Sequence, residues 1–325
     1  MKIAYRLLAT LAAVIVCLLP LPAQAETFEE KRAKAEQGDA KAQFYVGMCY
    51  AEGKGVTEDD AEAVKWFRKA AEQGDAEAQF ILGACYAIGE GLPKDDVEAV
   101  KWYRRAAGQG FAAAQCELGS CYAKSKGLPK DDAEAVKWYR RAADQGDAEA
   151  QYNLGFCYHK GEGMPKNYAE AVKWFRNAAD KGHAAAQHNL GFCYANGAGV
   201  SEDDAEAVKW YRKAADQGFA AAECKLGACY ANGEGVSEDD AEAVKWYRMA
   251  AEQNATARHN LGAHYAQGEG VPKDDITAYM WFNLASAQGS ERSEYVREII
   301  TKRMTKEQIA EAQKLSREWL EKREK

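Results

Sequence analysis

Apolar and polar positions recur along most of this chain in a unit of 36 residues. Tryptophan marks the unit at Trp66, Trp102, Trp138, Trp174, Trp210 and Trp246, and again one residue early at Trp281. Glycine keeps the same spacing at Gly47, Gly83, Gly119, Gly155, Gly191, Gly227 and Gly262. A fixed period of this length is typical of a repeat array. The sequence therefore predicts seven copies over residues 39–289.

The second copy shows how each unit is expected to fold. Apolar residues at helical spacing predict a first helix, helix A, from about Asp75 to Ala87. A second helix, helix B, follows from Asp95 to Gly110. The intervening residues 88–94 contain two glycines and a proline, which end a helix. Each copy therefore reads as two antiparallel helices joined by a glycine turn.

Helix B begins with an acidic pair that predicts a capping box. The side chain of Asp95 caps the free amides, while Glu98, three residues on, is expected to bond back to the backbone. Equivalent pairs are Asp59/Glu62, Asp131/Glu134, Asn167/Glu170, Asp203/Glu206 and Asp239/Glu242. Calcium loops are an alternative interpretation, but capping accounts for the pairs without a metal. The apolar stripe that helix B is expected to bury contains Ala99, Trp102, Tyr103 and Ala106.

A two-helix unit cannot bury its apolar face alone, so the copies must stack. The predicted fold is all-α: an α/α superhelical solenoid of seven 36-residue helix-turn-helix repeats with helical caps. Residues 26–38 are expected to form the first cap and residues 290–325 the last. Within the last cap, Thr305 and Gln308 open a helix from about Lys306 to Glu324.

The repeated pattern A-x-A-Q-x-x-L-G-x-x-Y-x-x-G-x-G-V-x-x-D-x-x-x-A-V-x-W-Y-R-x-A-A-x-Q-G resembles the Sel-one-like repeat (SLR) family, which is related to tetratricopeptide repeats. The diverged seventh copy and the sequence Met304-Thr305-Lys306-Glu307-Gln308 also resemble the usual bacterial ending of such arrays. The resemblance implies an α/α superhelix whose A helices line a concave face used for protein–protein interaction.

Comparison of the copies predicts which face of helix A a partner would contact. With the glycine numbered zero, positions −5, −1, +2 and +3 barely change, and in copy two they are Ala78, Leu82, Cys85 and Tyr86. These residues share one arc of the helix and are expected to be buried. Positions −6, −3, −2, +1 and +5 vary and lie on the opposite arc, so we expect them to face a groove.

The predicted groove changes in character along the array. The first two copies offer an apolar pocket of Phe44, Tyr45, Met48, Phe80 and Ile81. The middle and end offer Tyr152, Asn153, Phe156, His188, Asn189, Phe192, Lys225 and Asn260. Asparagine both donates and accepts hydrogen bonds, so a row of asparagines can hold an extended peptide backbone while the aromatic rings take its side chains. Neutral drift of solvent-exposed positions is the alternative.

Six of the eight cysteines after residue 25 lie at position +2, one per copy: Cys49, Cys85, Cys121, Cys157, Cys193 and Cys229. Helices pack about 8–10 Å apart, which usually exceeds the Cα separation of a disulfide, so buried thiols are expected. A disulfide framework is the alternative that eight cysteines would suggest if the protein is exported. A cysteine-rich branch of the SLR family pairs a cysteine ending helix B with one opening the next helix A. Here Ala71 and Gln79 occupy those positions.

Residues 1–25 resemble a cleaved bacterial signal peptide. Lys2 and Arg6 precede an apolar run from Leu7 to Leu21, and Ala23-Gln24-Ala25 supplies small residues for cleavage. A lipid anchor at Cys17 is an alternative that its neighbours do not fit. Removal of this segment changes the formal net charge from −7 to −9, which argues against nucleic acid as a partner. We expect a periplasmic or secreted monomer without a membrane span in its mature form.

The sequence gives little sign of a catalytic site or a metal site. No Ser-x-x-Lys nucleophile motif occurs in the sequence. His183 and His188 are five residues apart, as are His259 and His264, so neither pair has the spacing of a helical metal site. The sequence therefore predicts a non-enzymatic scaffold without cofactor or metal that binds a protein or an extended peptide. The alternative function, implied by the cysteine-rich branch, is a penicillin-binding protein with weak β-lactamase activity.

Overall fold

A computed structural model describes residues 27–324, and these residues form helices and turns. The helices are α1 (Phe28–Glu36), α2 (Ala40–Glu52), α3 (Asp60–Glu72), α4 (Ala76–Ile88), α5 (Asp96–Gly108), α6 (Ala112–Lys124), α7 (Asp132–Asp144), α8 (Ala148–Lys160), α9 (Tyr168–Asp180), α10 (Ala184–Ala195), α11 (Asp204–Ala215), α12 (Ala220–Asn232), α13 (Asp240–Ala250), α14 (Ala255–Gln267), α15 (Asp275–Ser286), α16 (Glu291–Thr301) and α17 (Lys306–Glu324). From α2 to α15 the even-numbered helices are the A helices and the odd-numbered ones the B helices. The predicted helix-turn-helix repeats and terminal helices are confirmed. The predicted signal peptide lies outside the described residues.

The chain forms two compact units, one ending at Lys166 and the other beginning at Asn167. In the first unit each helix from α1 to α7 packs against the next one along the chain. The second unit contains α9 to α17, and α15 packs against both α16 and α17. Within residues 27–324, no helix combines the length and the apolar character that a membrane span requires.

In copy two the apolar stripe of helix B is buried as predicted, whereas the tryptophans of copies three, four and seven are half-buried. In α5, Trp102 and Tyr103 are 6% and 4% exposed, and the alanines on the same face are fully covered. The ring of Tyr103 lies directly against Gly83 of α4, where any larger residue would crowd it. The small residue at position zero therefore sets how closely the two helices of a copy approach.

The predicted capping box of helix B is wrong in its second half. Asp95 accepts a hydrogen bond from the amide of Glu98 (3.0 Å), as predicted. The Glu98 carboxylate instead accepts from Lys101 Nζ (2.5 Å). The backbone amide that it was expected to reach, that of Asp95, already donates to the carbonyl of Tyr86 (2.9 Å). Reciprocal boxes do form at the two ends of the described residues, at Thr27 with Glu30 and at Thr305 with Gln308.

In copies two to five, a buried glutamine at position −4 joins helix A to the preceding helix B. Gln79 donates to the carbonyl of Ala71 (3.0 Å), and its own side-chain oxygen accepts from Gln109 (2.8 Å). In the second unit Gln187 and Gln217 repeat both contacts, since Gln187 donates to the carbonyl of Ala179 (3.0 Å) and accepts from Gln217 (2.7 Å). A polar side chain, hydrogen-bonded at both of its ends, therefore occupies the position where the cysteine-rich branch places a disulfide.

Positions +2 and +3 of the predicted buried arc differ in their exposure. The eight cysteines of the described residues are buried free thiols, so the predicted burial of position +2 is confirmed. Burial raises the pKa of the Cys85 thiol to about 12 and that of Cys229 to about 11. Position +3 is only half-buried, because the hydroxyl of Tyr86 reaches the edge of the helix pair and accepts from Arg68 (2.7 Å).

Candidate functional site

The predicted apolar pocket of copies one and two does not form. Phe80 and Ile81 are 6% and 4% exposed and belong to the hydrophobic core. The ring of Phe80 packs between Tyr103 (centroids 5.8 Å apart) and Phe111 (5.4 Å). Position −3 therefore faces the helix B of its own copy and the start of the next helix A.

Copy one leaves only part of that pocket accessible. Phe44 is half-buried against Phe67 of α3, with ring centroids 5.8 Å apart. Tyr45 is exposed, and Lys31 Nζ lies 3.5 Å from the centroid of its ring. Met48 is half-buried beside them. A single tyrosine with a cation over its face is a contact point and not an enclosed pocket.

The copy-four residues form a half-buried cluster in the first unit. The rings of Tyr152 and Phe156, one helical turn apart on α8, have centroids 6.4 Å apart. Asn153 donates to Glu149 (3.4 Å) and lies 3.8 Å from the sulfur of Cys116. These contacts hold the half-buried Asn153 side chain between Glu149 of α8 and Cys116 of α6.

In the second unit the copy-five residues lie partly inside the helix packing. The ring of His188 lies 5.7 Å from that of Tyr211 and 5.5 Å from that of Phe219, and its Nδ1 lies 3.2 Å from Asn189 Oδ1. Burial lowers the pKa of His188, which favours the neutral imidazole. Asn189 and Phe192 remain half-buried, and they are the part of this set that a partner could reach.

Two neighbouring clefts open along the A helices of the second unit. The first cleft, between copies five and six, has a volume of about 480 Å³ and contains Lys225 of the predicted set. The second cleft, between copies six and seven, has a volume of about 530 Å³ and contains Asn260. They share Ala228 and Asn232, so they adjoin one another.

The two clefts have matching walls, one copy apart along the chain. The residues that correspond are Asn196 and Asn232, Glu202 and Glu238, Asp204 and Asp240, Tyr211 and Tyr247, Lys225 and Asn260, Cys229 and His264, and Glu234 and Glu269. Each cleft thus has three carboxylates, and each has one basic residue, Lys225 in the first and Arg292 in the second. Both clefts are therefore net acidic.

A glycine in each A–B turn explains why carboxylates from different copies meet. A Cβ atom at Gly235 would lie 2.2 Å from the carbonyl oxygen of Asp204, so only glycine allows the turn to lie against the start of α11. This contact brings Glu234 beside Asp204. Gly270 repeats it at 2.2 Å from the carbonyl of Asp240, which brings Glu269 to the second cleft.

Sequence reasoning missed these loop carboxylates because it considered only the acidic pairs that open helix B. The signal was available: Glu202 and Glu238 recur at the same place in consecutive copies, and so do Glu234 and Glu269. None of the four was needed as a cap.

The chain belongs to the Sel1 repeat family. The family model matches seven consecutive segments, residues 40–75, 76–111, 112–147, 148–183, 184–219, 220–254 and 255–290. These bounds coincide with the helix pairs from α2 to α15.

Relatives with this fold come from several bacteria. The chain is 34% identical to the Sel1 repeat protein from Oxalobacter formigenes, with a TM-score of 0.68 over 84% of this chain and 79% of that one. It is 30% identical to c5321, a protective antigen present in uropathogenic Escherichia coli strains that displays an SLR fold, with a TM-score of 0.45 over 90% of this chain and 79% of that one.

A curated relative matches over a shorter stretch. The secretory immunoglobulin A-binding protein EsiB of Escherichia coli is 40% identical over 63 residues, which are 19% of this chain. The match spans only 13% of the length of EsiB.

Proposed function

We propose that this protein is a non-enzymatic interaction scaffold whose second unit binds an extended, basic segment of a partner protein. The observation that carries the proposal is the pair of adjoining clefts with corresponding walls. An extended peptide places alternate side chains at regular intervals, so a surface that repeats once per copy suits such a ligand.

The charge of the clefts supports a basic ligand. Glu202 and Glu234 in the first cleft, and Glu238 and Glu269 in the second, are exposed carboxylates at the cleft edges. Carboxylates form strong charge-assisted hydrogen bonds with lysine and arginine side chains. The shared Asn232 lies between the clefts. Its side-chain nitrogen donates to Glu234 (3.0 Å), and its side-chain oxygen can accept from a peptide backbone.

Other observations agree with a protein partner. EsiB is by name an immunoglobulin-binding protein, although it matches over a short stretch. The hydrogen bond from Gln79 to the Ala71 carbonyl replaces the disulfide of the cysteine-rich branch and sets this chain apart from the penicillin-binding alternative. We also propose export from the cell, on the basis of the signal-like residues 1–25.

The test compares two double variants in crosslinking pull-downs from envelope extract. Glu202→Gln with Glu238→Gln removes one carboxylate from each cleft. Asp180→Asn with Asp216→Asn removes two exposed carboxylates from the far ends of α9 and α11 and serves as the matched control.

We expect the cleft variant to weaken capture of a basic partner at least about tenfold, since a hydrogen bond to a charged group contributes about 1.5–3 kcal/mol. Added salt should weaken capture by the parent protein in the same way. Equal capture by the parent and both variants would refute the assignment of these clefts.

A further inference from the structure

Copy seven breaks the cysteine pattern at position +2. Six copies carry cysteine there, and the seventh carries His264, which is 6% exposed. Its ring packs against that of Tyr247, with centroids 5.4 Å apart. This contact fixes the imidazole at the inner wall of the second cleft.

Two acidic residues from different segments lie beside the same imidazole. Asp240 is the first residue of α13, and Glu269 lies in the A–B turn that Gly270 holds against it. Nδ1 of His264 lies 3.9 Å from Asp240 Oδ1 and 3.2 Å from the carbonyl oxygen of Glu269. One nitrogen of His264 and one carboxylate oxygen of each acidic residue all lie within 4.8 Å of one another.

We propose that Asp240, His264 and Glu269 bind one divalent transition-metal ion, for which Zn²⁺ is the best-suited cation. One imidazole nitrogen and two carboxylate oxygens are ligands that zinc accepts at about 2.0–2.2 Å, in sites where three protein ligands leave a fourth position open. Magnesium and calcium prefer oxygen ligands alone, so the histidine favours zinc.

The cluster needs only small side-chain movements to close on an ion. The carboxylate of Glu269 is exposed and that of Asp240 is half-buried, so both can rotate toward the imidazole, which the helix packing keeps in place. Because the cleft is open beside the exposed Glu269, water or a side chain of a partner can supply the fourth ligand.

The corresponding group in the preceding copy provides an internal contrast. Asp204 and Glu234 flank Cys229 in the first cleft as Asp240 and Glu269 flank His264 in the second. Among the described residues, however, the group whose ligand atoms all lie within 4.8 Å of one another is that of the second cleft, and the first-cleft group does not meet this condition. We therefore expect one site per chain.

The test is a calorimetric titration of the reduced protein with zinc chloride. We expect binding of one zinc ion per chain in the parent protein. His264→Ser puts a side chain similar in size to cysteine at position +2, and Glu269→Gln neutralises an exposed ligand. Each should weaken binding at least about tenfold, because loss of even an outer-shell partner of a metal ligand costs about 10- to 100-fold. Glu234→Gln, the matched change one copy earlier, should leave the affinity unchanged.

Cobalt(II) absorption identifies the ligand atoms independently. Nitrogen and oxygen ligands give weak visible bands, whereas cysteine ligands add an intense thiolate charge-transfer band. The proposal is overturned by absence of binding to the parent protein, by unchanged binding in Glu269→Gln, or by a thiolate band. Thermal denaturation shows whether His264→Ser is folded. If His264→Ser is unfolded, the zinc affinity of Glu269→Gln alone tests the proposal.

Discussion

Substitution of the glycine at position zero by alanine tests how closely the two helices of a copy pack. A Cβ atom at Gly83 would lie 2.7 Å from Cδ1 and 2.8 Å from Cε1 of Tyr103, and 3.2 Å from the carbonyl oxygen of Ala99. Tyr103 is 4% exposed and contacts Phe80, so its ring has little room to withdraw. Gly83→Ala must therefore move one helix of copy two away from the other.

The magnitude follows from two opposing effects. Overpacking a core by one methyl group typically costs about 1–3 kcal/mol. Alanine is more favourable than glycine in a helix by about 0.8–1.0 kcal/mol, which offsets part of that cost. Gly108 in α5 has no atom within 4 Å of an added Cβ, so Gly108→Ala gains the helix propensity without the clash. The difference in stability between the two variants thus isolates the steric term, about 1–3 kcal/mol.

The assay is urea denaturation followed by circular dichroism, with midpoints compared among the parent and the two variants. Gly108→Ala should shift the midpoint upward and Gly83→Ala should shift it below that of Gly108→Ala, with unchanged slopes. If Gly83→Ala is as stable as Gly108→Ala, the close contact between Gly83 and Tyr103 is not a real constraint on helix packing.

Two further predictions concern the buried side chains. Trp102→Ala should lower the free energy of unfolding by about 3–5 kcal/mol. Trp138→Ala should lower it by less, because Trp102 is buried and Trp138 is half-buried. Equal thermal midpoints for the two variants would contradict this order. Burial raises the pKa of Cys85 from 9.0 to about 12, so its thiol stabilises the fold fully below pH 9 and loses that contribution as the pH rises toward 12. The stability difference between the parent and Cys85→Ser should therefore narrow above pH 9 in denaturation curves, and a constant difference would exclude a raised pKa.

The repeat and its helix bounds were predictable because they depend on local chemistry. Helix A of copy two was expected to start at Asp75, and Asp75 is the N-cap of Ala76–Ile88 in the structure, with the αL residue Gly89 at its end. Asp95 likewise caps α5. Aspartate and glycine at helix ends act within a few residues of their own position, so one sequence suffices to place them.

The side chains that line the groove were harder to assign because variation between copies does not imply exposure. Phe111 and Phe219 occupy the N-cap positions of α6 and α12 without a side-chain capping hydrogen bond. They pack instead on Phe80 and His188 at position −3 of the preceding copies. In these two copies position −3 thus packs on a residue of the next copy, and a helical wheel of one helix does not contain that residue.

The clefts were not predictable from the pattern of one helix because their walls come from different copies. Their acidic walls depend on the approach of the Gly235 turn to Asp204, which lies 31 positions earlier in the chain. The pattern of glycines in the turns indicated helix ends but gave no sign of what the turns would touch.

The glutamine contacts between copies have a consequence for the conditions in which the protein can assemble. Gln79 and its counterparts connect successive copies through hydrogen bonds to main-chain carbonyls, as between Gln79 and Ala71 and between Gln187 and Ala179. Such bonds form as soon as two copies meet and require no oxidant or isomerase. We therefore expect this chain to fold equally well in a reducing and an oxidising compartment. Arrays linked by disulfides, in contrast, need an oxidising compartment in which the disulfides can form.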